Sequence, residues 1–125
     1  MEDLIYSDEC YRIMSLLFGV YKKLGYGLRE LDYQKSVSEE FKSNNIPFSE
    51  QVYTQLSIDN KSIRKYYLDF LIDNKIILEI KAKEKFYPDN IAQVYSYLKS
   101  TKLKLGIIAN FTKRGVSFKR IVNLK

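Results

Sequence analysis

The spacing of apolar residues changes character three times along the chain, and this succession limits the fold more than any other feature. Helical spacing holds to about residue 42, extended spacing follows from Phe48, helical spacing returns at Pro88, and an extended pattern closes the chain from Leu103. In the first helix Ser7 is the expected N-cap, Asp8 and Glu9 suit the first turn, and Ile13, Leu16, Val20 and Leu24 form the apolar stripe before Gly25 stops it. A second helix is expected over residues 28–42, with Tyr33, Val37 and Phe41 on one face, ended by Asn44, Asn45 and Pro47. Glu30 falls on that same apolar face.

Strands are expected over residues 48–58, 63–72 and 75–83, separated by Asp59-Asn60-Lys61 and Asp73-Asn74. They read as an antiparallel meander. Pro88 opens a third helix that ends near Lys102, with Ile91, Val94, Tyr95 and Leu98 as its stripe; strands at 103–111 and 116–122 complete the order ααβββαββ. This is an α/β arrangement, a mixed sheet flanked by helices. With 125 residues, 46% of them apolar, and no linker-like stretch, one domain spanning 1–125 is expected.

Composition removes several chemistries. The chain has no His and a single cysteine, Cys10, so a His-dependent triad, a Cys/His zinc cluster and an internal disulfide are excluded. Cys10 itself reads as a small buried hydrophobe. No signal-like opening and no membrane-length apolar run is present, and the lone thiol suits a reducing compartment, so a soluble, cytoplasmic protein is expected. Twenty-one Lys plus Arg against 15 Asp plus Glu leave a net charge of +6, which favours a polyanionic partner without locating its site.

The chemistry concentrates between Tyr66 and Ala82. Strand alternation sets Glu79 and Lys81 on one face of their strand, while on the preceding strand Leu68, Phe70 and Ile72 share a face and leave Asp69 on the other. Register decides whether the acids meet. If Ile72 pairs with Ile76 across Asp73-Asn74-Lys75, Asp69 lies opposite Glu79; a two-residue loop at Asp73-Asn74 would pair Asp69 with Leu78 and turn Glu79 away. Opposed carboxylates repel unless a cation lies between them, and Mg²⁺ or Mn²⁺ is held by one or two carboxylates, with water and phosphate oxygens completing the shell. Lys81 would then offset charge growing on a phosphoryl group. Glu30 needs a polar partner at the edge of the interior, and Gln93 and Tyr97, four apart on the third helix, reach one polar pocket.

Five blocks resemble a known family in order and spacing. Leu24-Gly25-Tyr26-Gly27-Leu28-Arg29-Glu30 is similar to the LGxGxxE opening of the GxxExxR proteins of the PD-(D/E)XK nuclease superfamily. The segments from Tyr67 to Ile72, Ile77 to Ala82, Ala92 to Leu98 and Gly106 to Phe111 resemble its later blocks, so the similarity covers almost the whole chain. It implies a restriction-endonuclease-like core in which Asp69, Glu79 and Lys81 correspond to the D, E and K of the signature. Glu30 would be the helix acid that assists the metal, and Gln93 the polar residue after the ExK strand. Tyr33 stands where the family's name has Arg, and Asn90 where a His is frequent.

The reading is therefore a Mg²⁺- or Mn²⁺-dependent nuclease acting on nucleic acid, DNA before RNA. Asp69, Glu79, Lys81, Glu30 and Gln93 are its catalytic set, and Asp69, Glu79 and Glu30 its metal ligands. Lys83, Lys85, Arg114, Lys119, Arg120 and Tyr97 are candidate nucleic-acid contacts, the basic residues because neutralised phosphates release counterions, although they are spread over several elements and no aromatic stacking platform is evident. Plainer readings stand beside these: an ordinary Glu/Lys pair on a solvated sheet face, a helix-start acid at Glu30, solvated surface lysines, and Tyr97 as packing. The rival functions are a non-catalytic nucleic-acid-binding module and a tyrosine-rich homodimeric assembly protein.

Overall fold

A computed structural model describes residues 5–124, with only the backbone described at Ser57 and Ile58. The elements are α1 (Ser7–Leu24), α2 (Glu30–Ser43), β1 (Phe48–Ile58), β2 (Lys61–Ile72), β3 (Ile76–Lys81), α3 (Pro88–Thr101), β4 (Leu105–Thr112) and β5 (Gly115–Val122). The expected order ααβββαββ is the observed one. The strands form one sheet in the order β1-β2-β3-β4-β5, antiparallel throughout except between β3 and β4, which run parallel because α3 crosses over between them.

The sheet is covered on both faces. Ile13, Leu17 and Val20 of α1 and Tyr33, Val37 and Phe41 of α2 pack with Phe70, Ile72, Leu78, Ile80, Ile107 and Phe111 on one side. Val94, Tyr97 and Leu98 of α3 pack with Leu68, Ile77, Ile108 and Ile121 on the other. β3 and β4 are consequently buried on both faces, which explains their nearly unbroken apolar runs.

Several local expectations need correction. Tyr6, not Ser7, precedes the first helical residue; its left-handed backbone carries no side-chain cap, and its carbonyl accepts from the Cys10 N–H at 2.9 Å. The buried stripe of α1 is Cys10, Ile13, Leu17 and Val20, while Leu24 lies exposed in the last turn. On α3, Tyr97 is buried and Tyr95 faces solvent beneath Lys99, because Val94 and Leu98 sit against Gly106 and bring position 97 inward. The β1–β2 turn is two residues: Ile58 pairs with Lys61, and Asp59 and Asn60 both have φ near +60°, the geometry of a type I′ hairpin. Strand β3 ends at Lys81 rather than Lys83, and β4 starts at Leu105 rather than Leu103.

The second hairpin resolves the register question. Ile72 pairs with Ile76, Leu71 with Ile77 and Phe70 with Leu78, so three residues form the loop. Asp73 and Asn74 take left-handed backbone, the Lys75 N–H closes the turn on the Ile72 carbonyl at 3.0 Å, and Lys75 is the extra residue. Its ammonium lies 2.8 Å from Glu9 of α1, which ties the turn to the helix layer.

Candidate active site

Continuing that register brings Asp69 and Glu79 face to face, but the regular ladder does not reach them. Their carboxylates take over its hydrogen bonds. The Asp69 N–H donates to Glu79 Oε2 at 2.8 Å, and the Ile80 N–H donates to Asp69 Oδ2 at 2.8 Å. Each acid is thereby fixed by the strand that carries the other, a preorganisation that free side chains on a sheet would lack.

Here the strand also reverses its facing. Phe70 and Ile72 lie under α1 and α2, yet Leu68 packs beneath α3, so the three residues expected on one face are divided at Asp69. Across the sheet, Glu50 pairs with Phe70 and Val52 with Leu68, while Gln51, with φ of 49°, drops out of the pairing together with Asp69. Diverting the Asp69 N–H to a carboxylate and bending β1 at Gln51 has the effect of a bulge, which re-aims the side chains that follow.

The acids are held in an environment hostile to their charge. Glu79 is 2% exposed; burial, with the neighbouring Asp69 charge, pushes its pKa up to about 7. Burial likewise raises Asp69, against the opposing effects of the Ile80 N–H and the Lys81 charge, and Glu30 adds to the rise. Lys81 favours both ionised acids, though it makes no ion pair with either among the described residues. The Tyr66 hydroxyl donates to Glu79 Oε1, and burial together with the Glu79 charge raises its own pKa, so it remains a donor.

Glu30 arrives from the opposite layer. At the first residue of α2, its Oε2 accepts from the Ala82 N–H at 3.2 Å, just beyond β3. Its negative charge is felt at Asp69. The acids thus approach the end of β3 from both faces of the sheet, Glu79 beneath α3 and Glu30 beside α2.

Hard oxygen donors of this kind suit Mg²⁺ or Mn²⁺, and the charge imbalance of a buried and a half-buried acid against one lysine is what a cation would relieve. Asp69 and Glu79 fit that role. Among the described residues, however, no three acidic, His or Cys side chains are grouped closely enough to hold an ion together. Each acid already gives one oxygen to a backbone N–H, and Glu30 joins through Ala82 rather than directly.

The remaining expected residues are dispersed. Gln93 lines a groove between α3 and the β1–β2 hairpin, where Tyr97 also lies, buried and stacked on Tyr66 with ring centroids 4.7 Å apart. Lys83 and Lys85 are exposed in the segment after β3, with the Lys85 ammonium over the Tyr87 ring, and Arg114 sits at the β4–β5 turn. Lys119 and Arg120 point to opposite faces of β5, and the Arg120 guanidinium donates to the Ile5 carbonyl at 2.5 Å.

Three residues near the site escaped the sequence reading: Tyr66, Gln51 and Asn110. Asn110, paired with Lys81 across β3 and β4, is 1% exposed; its Oδ1 accepts from the Lys83 N–H at 2.7 Å and its amide donates to the Lys85 carbonyl at 3.1 Å. A polar side chain within an apolar strand was its only signal. Tyr66 and Gln51 gave none, since their partners are brought near by the fold.

The model of the PD-(D/E)XK nuclease superfamily matches residues 7–121. The chain belongs to this superfamily. Its members generally use divalent metal ions. Among solved structures it resembles SSO0001, with a TM-score of 0.52 at 16% identity over 89% of this chain and 66% of that one. It also resembles LHK-Exo, an alkaline exonuclease from Laribacter hongkongensis, with a TM-score of 0.50 at 14% identity over 69% of this chain and 52% of that one. This PD-(D/E)XK chain therefore spans less than two thirds of either protein, and at such identities the likeness concerns the fold. No curated protein matches it.

Proposed function

We propose that this chain is a divalent-metal-dependent nuclease that hydrolyses phosphodiester bonds, with DNA the first substrate to test. The observation carrying the proposal is the reciprocal bonding of Asp69 and Glu79, a half-buried and a buried acid each held by the other's strand. Both are assigned as metal ligands, with Glu30 supporting them from α2. A bound Mg²⁺ or Mn²⁺ would supply Lewis acidity at a phosphoryl oxygen and a more acidic water.

The protein's own groups do the rest. Tyr66 orients the Glu79 carboxylate, Lys81 orients the attacking water or balances charge accumulating on the phosphate, and Asn110 fixes the loop on which Lys83 and Lys85 approach the backbone of the substrate. Gln93 stands outside this set, in the groove beside it. The LHK-Exo likeness agrees with a nuclease reading, and the basic net charge with a polyanionic substrate.

Incubation with DNA and with RNA, each with Mg²⁺, Mn²⁺ or chelator, tests this directly. Cleavage should require the metal, and Lys81→Ala should lower it by about 10²–10³-fold, the cost of removing one charge-stabilising donor. Calorimetric titration with Mn²⁺ should give binding that Glu79→Gln and Asp69→Asn each weaken. Cleavage that persists in chelator, or that Lys81→Ala leaves intact, overturns the assignment.

A further inference from the structure

A groove of about 510 Å³ lies between α3 and the outer half of the β1–β2 hairpin. Leu56, Ile63 and Arg64 come from the hairpin; Ala92, Gln93 and Ser96 come from the helix. Tyr97 lines it as well, and its hydroxyl is buried without a hydrogen-bond partner among the described residues. Buried hydroxyls are nearly always satisfied, so the unpaired one of a residue in the groove wall is a polar demand that the described residues leave unmet.

The groove adjoins the acids. Tyr97 stacks on Tyr66 with planes 16° apart, and the Tyr66 hydroxyl bonds Glu79, so one aromatic pair separates groove from carboxylate. Leu56 and Ile63 oppose Ala92 across the opening as apolar walls, which suits a flat ring. Gln93 offers both a donor and an acceptor, Ser96 a hydroxyl and Asp89 a carboxylate, a mixture that matches the edge of a nucleobase. A bare phosphate would meet repulsion from Asp89, and a purely apolar ligand would leave the amide and hydroxyls unmet. Arg64, exposed and without an ion pair among the described residues, is free to meet the phosphate attached to such a base.

We infer that this groove receives an unpaired nucleotide of the nucleic-acid substrate, so that the chain engages single strands or unpaired ends in preference to blunt duplex. The inference rests on the nuclease reading and extends it, because a base within a duplex is stacked and paired and cannot enter.

Fluorescence anisotropy in chelator, with a labelled single strand and the blunt duplex of the same sequence, separates binding from cutting. Single strand should bind at least ~10-fold more tightly, consistent with the stacking and contact energy of a captured base. Ala92→Trp, which fills the slot, should remove that preference while leaving duplex affinity within about threefold, and Arg64→Glu should weaken single-strand binding without altering the core. Thermal melting confirms that each variant is folded, and the exposed Arg64→Glu decides if Ala92→Trp is not. Equal affinity for the two nucleic acids, or a preference that survives both changes, overturns the groove while metal-dependent cleavage could still stand. Groove-dependent binding with no cleavage under any metal would uphold the groove and overturn the nuclease reading.

Discussion

Glu79 sits 2% exposed with a second acid against it, and its protonation is therefore coupled to folding. Its pKa is raised from 4.5 unfolded to about 7 folded, so the stabilising contribution is complete below 4.5 and disappears as pH rises through about 7. Metal-free protein should melt at a lower temperature at pH 8 than at pH 5, with a loss on the order of 3 kcal/mol from this residue. Glu79→Gln should flatten the profile, and Mn²⁺ should restore melting temperature at pH 8 in the parent but not in that variant. Tyr66→Phe removes the hydroxyl donated to Glu79 Oε1, which should raise the Glu79 pKa further and cost about 1.5–3 kcal/mol above pH 8, read as a shifted titration of stability. At this scale Asp69, Glu79 and Lys81 were legible because charged residues interrupt apolar strands. Tyr66 was not, because its role depends on a partner 13 residues away that only the folded hairpin brings to it.

At the scale of elements, the extra residue Lys75 is the decisive local choice. It puts Ile72 opposite Ile76 and so brings the two acids together, whereas a two-residue turn would send one of them to the other face. Both registers were open from the sequence, since Asp73-Asn74 suits either loop; the ion pair from Glu9 of α1 to Lys75 is a long-range contact that the local pattern does not contain. The reversal of β2 at Asp69 was hidden for a similar reason: alternation rules assume an unbroken ladder, and here carboxylates replace its hydrogen bonds. Beyond β3, Asn110 clamps the connection to α3 through the Lys83 N–H and the Lys85 carbonyl. Asn110→Ala should cost about 1–3 kcal/mol by leaving those backbone groups unmet, and hydrogen exchange at residues 83–86 should accelerate more than in the sheet. Uniform exchange across the chain would place the stabilising role of Asn110 elsewhere.

For the molecule as a whole, the layered order ααβββαββ was readable because each amphipathic element must bury its apolar stripe against the sheet. The rotation of α3 was not, since Tyr95 and Tyr97 flank the same stripe and only contact with β4 distinguishes them. That contact runs through Gly106. A Cβ built there would lie 2.6 Å from Val94 Cγ1, so the helix approaches the strand more closely than any larger residue allows. Val94 is β-branched and buried, and its methyl group has little freedom to move aside. Gly106→Ala should therefore lift α3 from the sheet at a cost of about 1–3 kcal/mol in urea unfolding, and the displacement should disturb the Tyr66–Tyr97 stack, visible in near-ultraviolet circular dichroism. Pairing it with Val94→Ala removes the colliding methyl group. If close approach is what sets the third layer, the double variant should recover the aromatic signal even though it loses buried surface, because the helix can settle back over β4 with Tyr97 still beneath it. A single variant as stable as the parent would instead mean that α3 slides without strain, and the coupling of the groove to the acidic site through the two tyrosines would lose its structural basis.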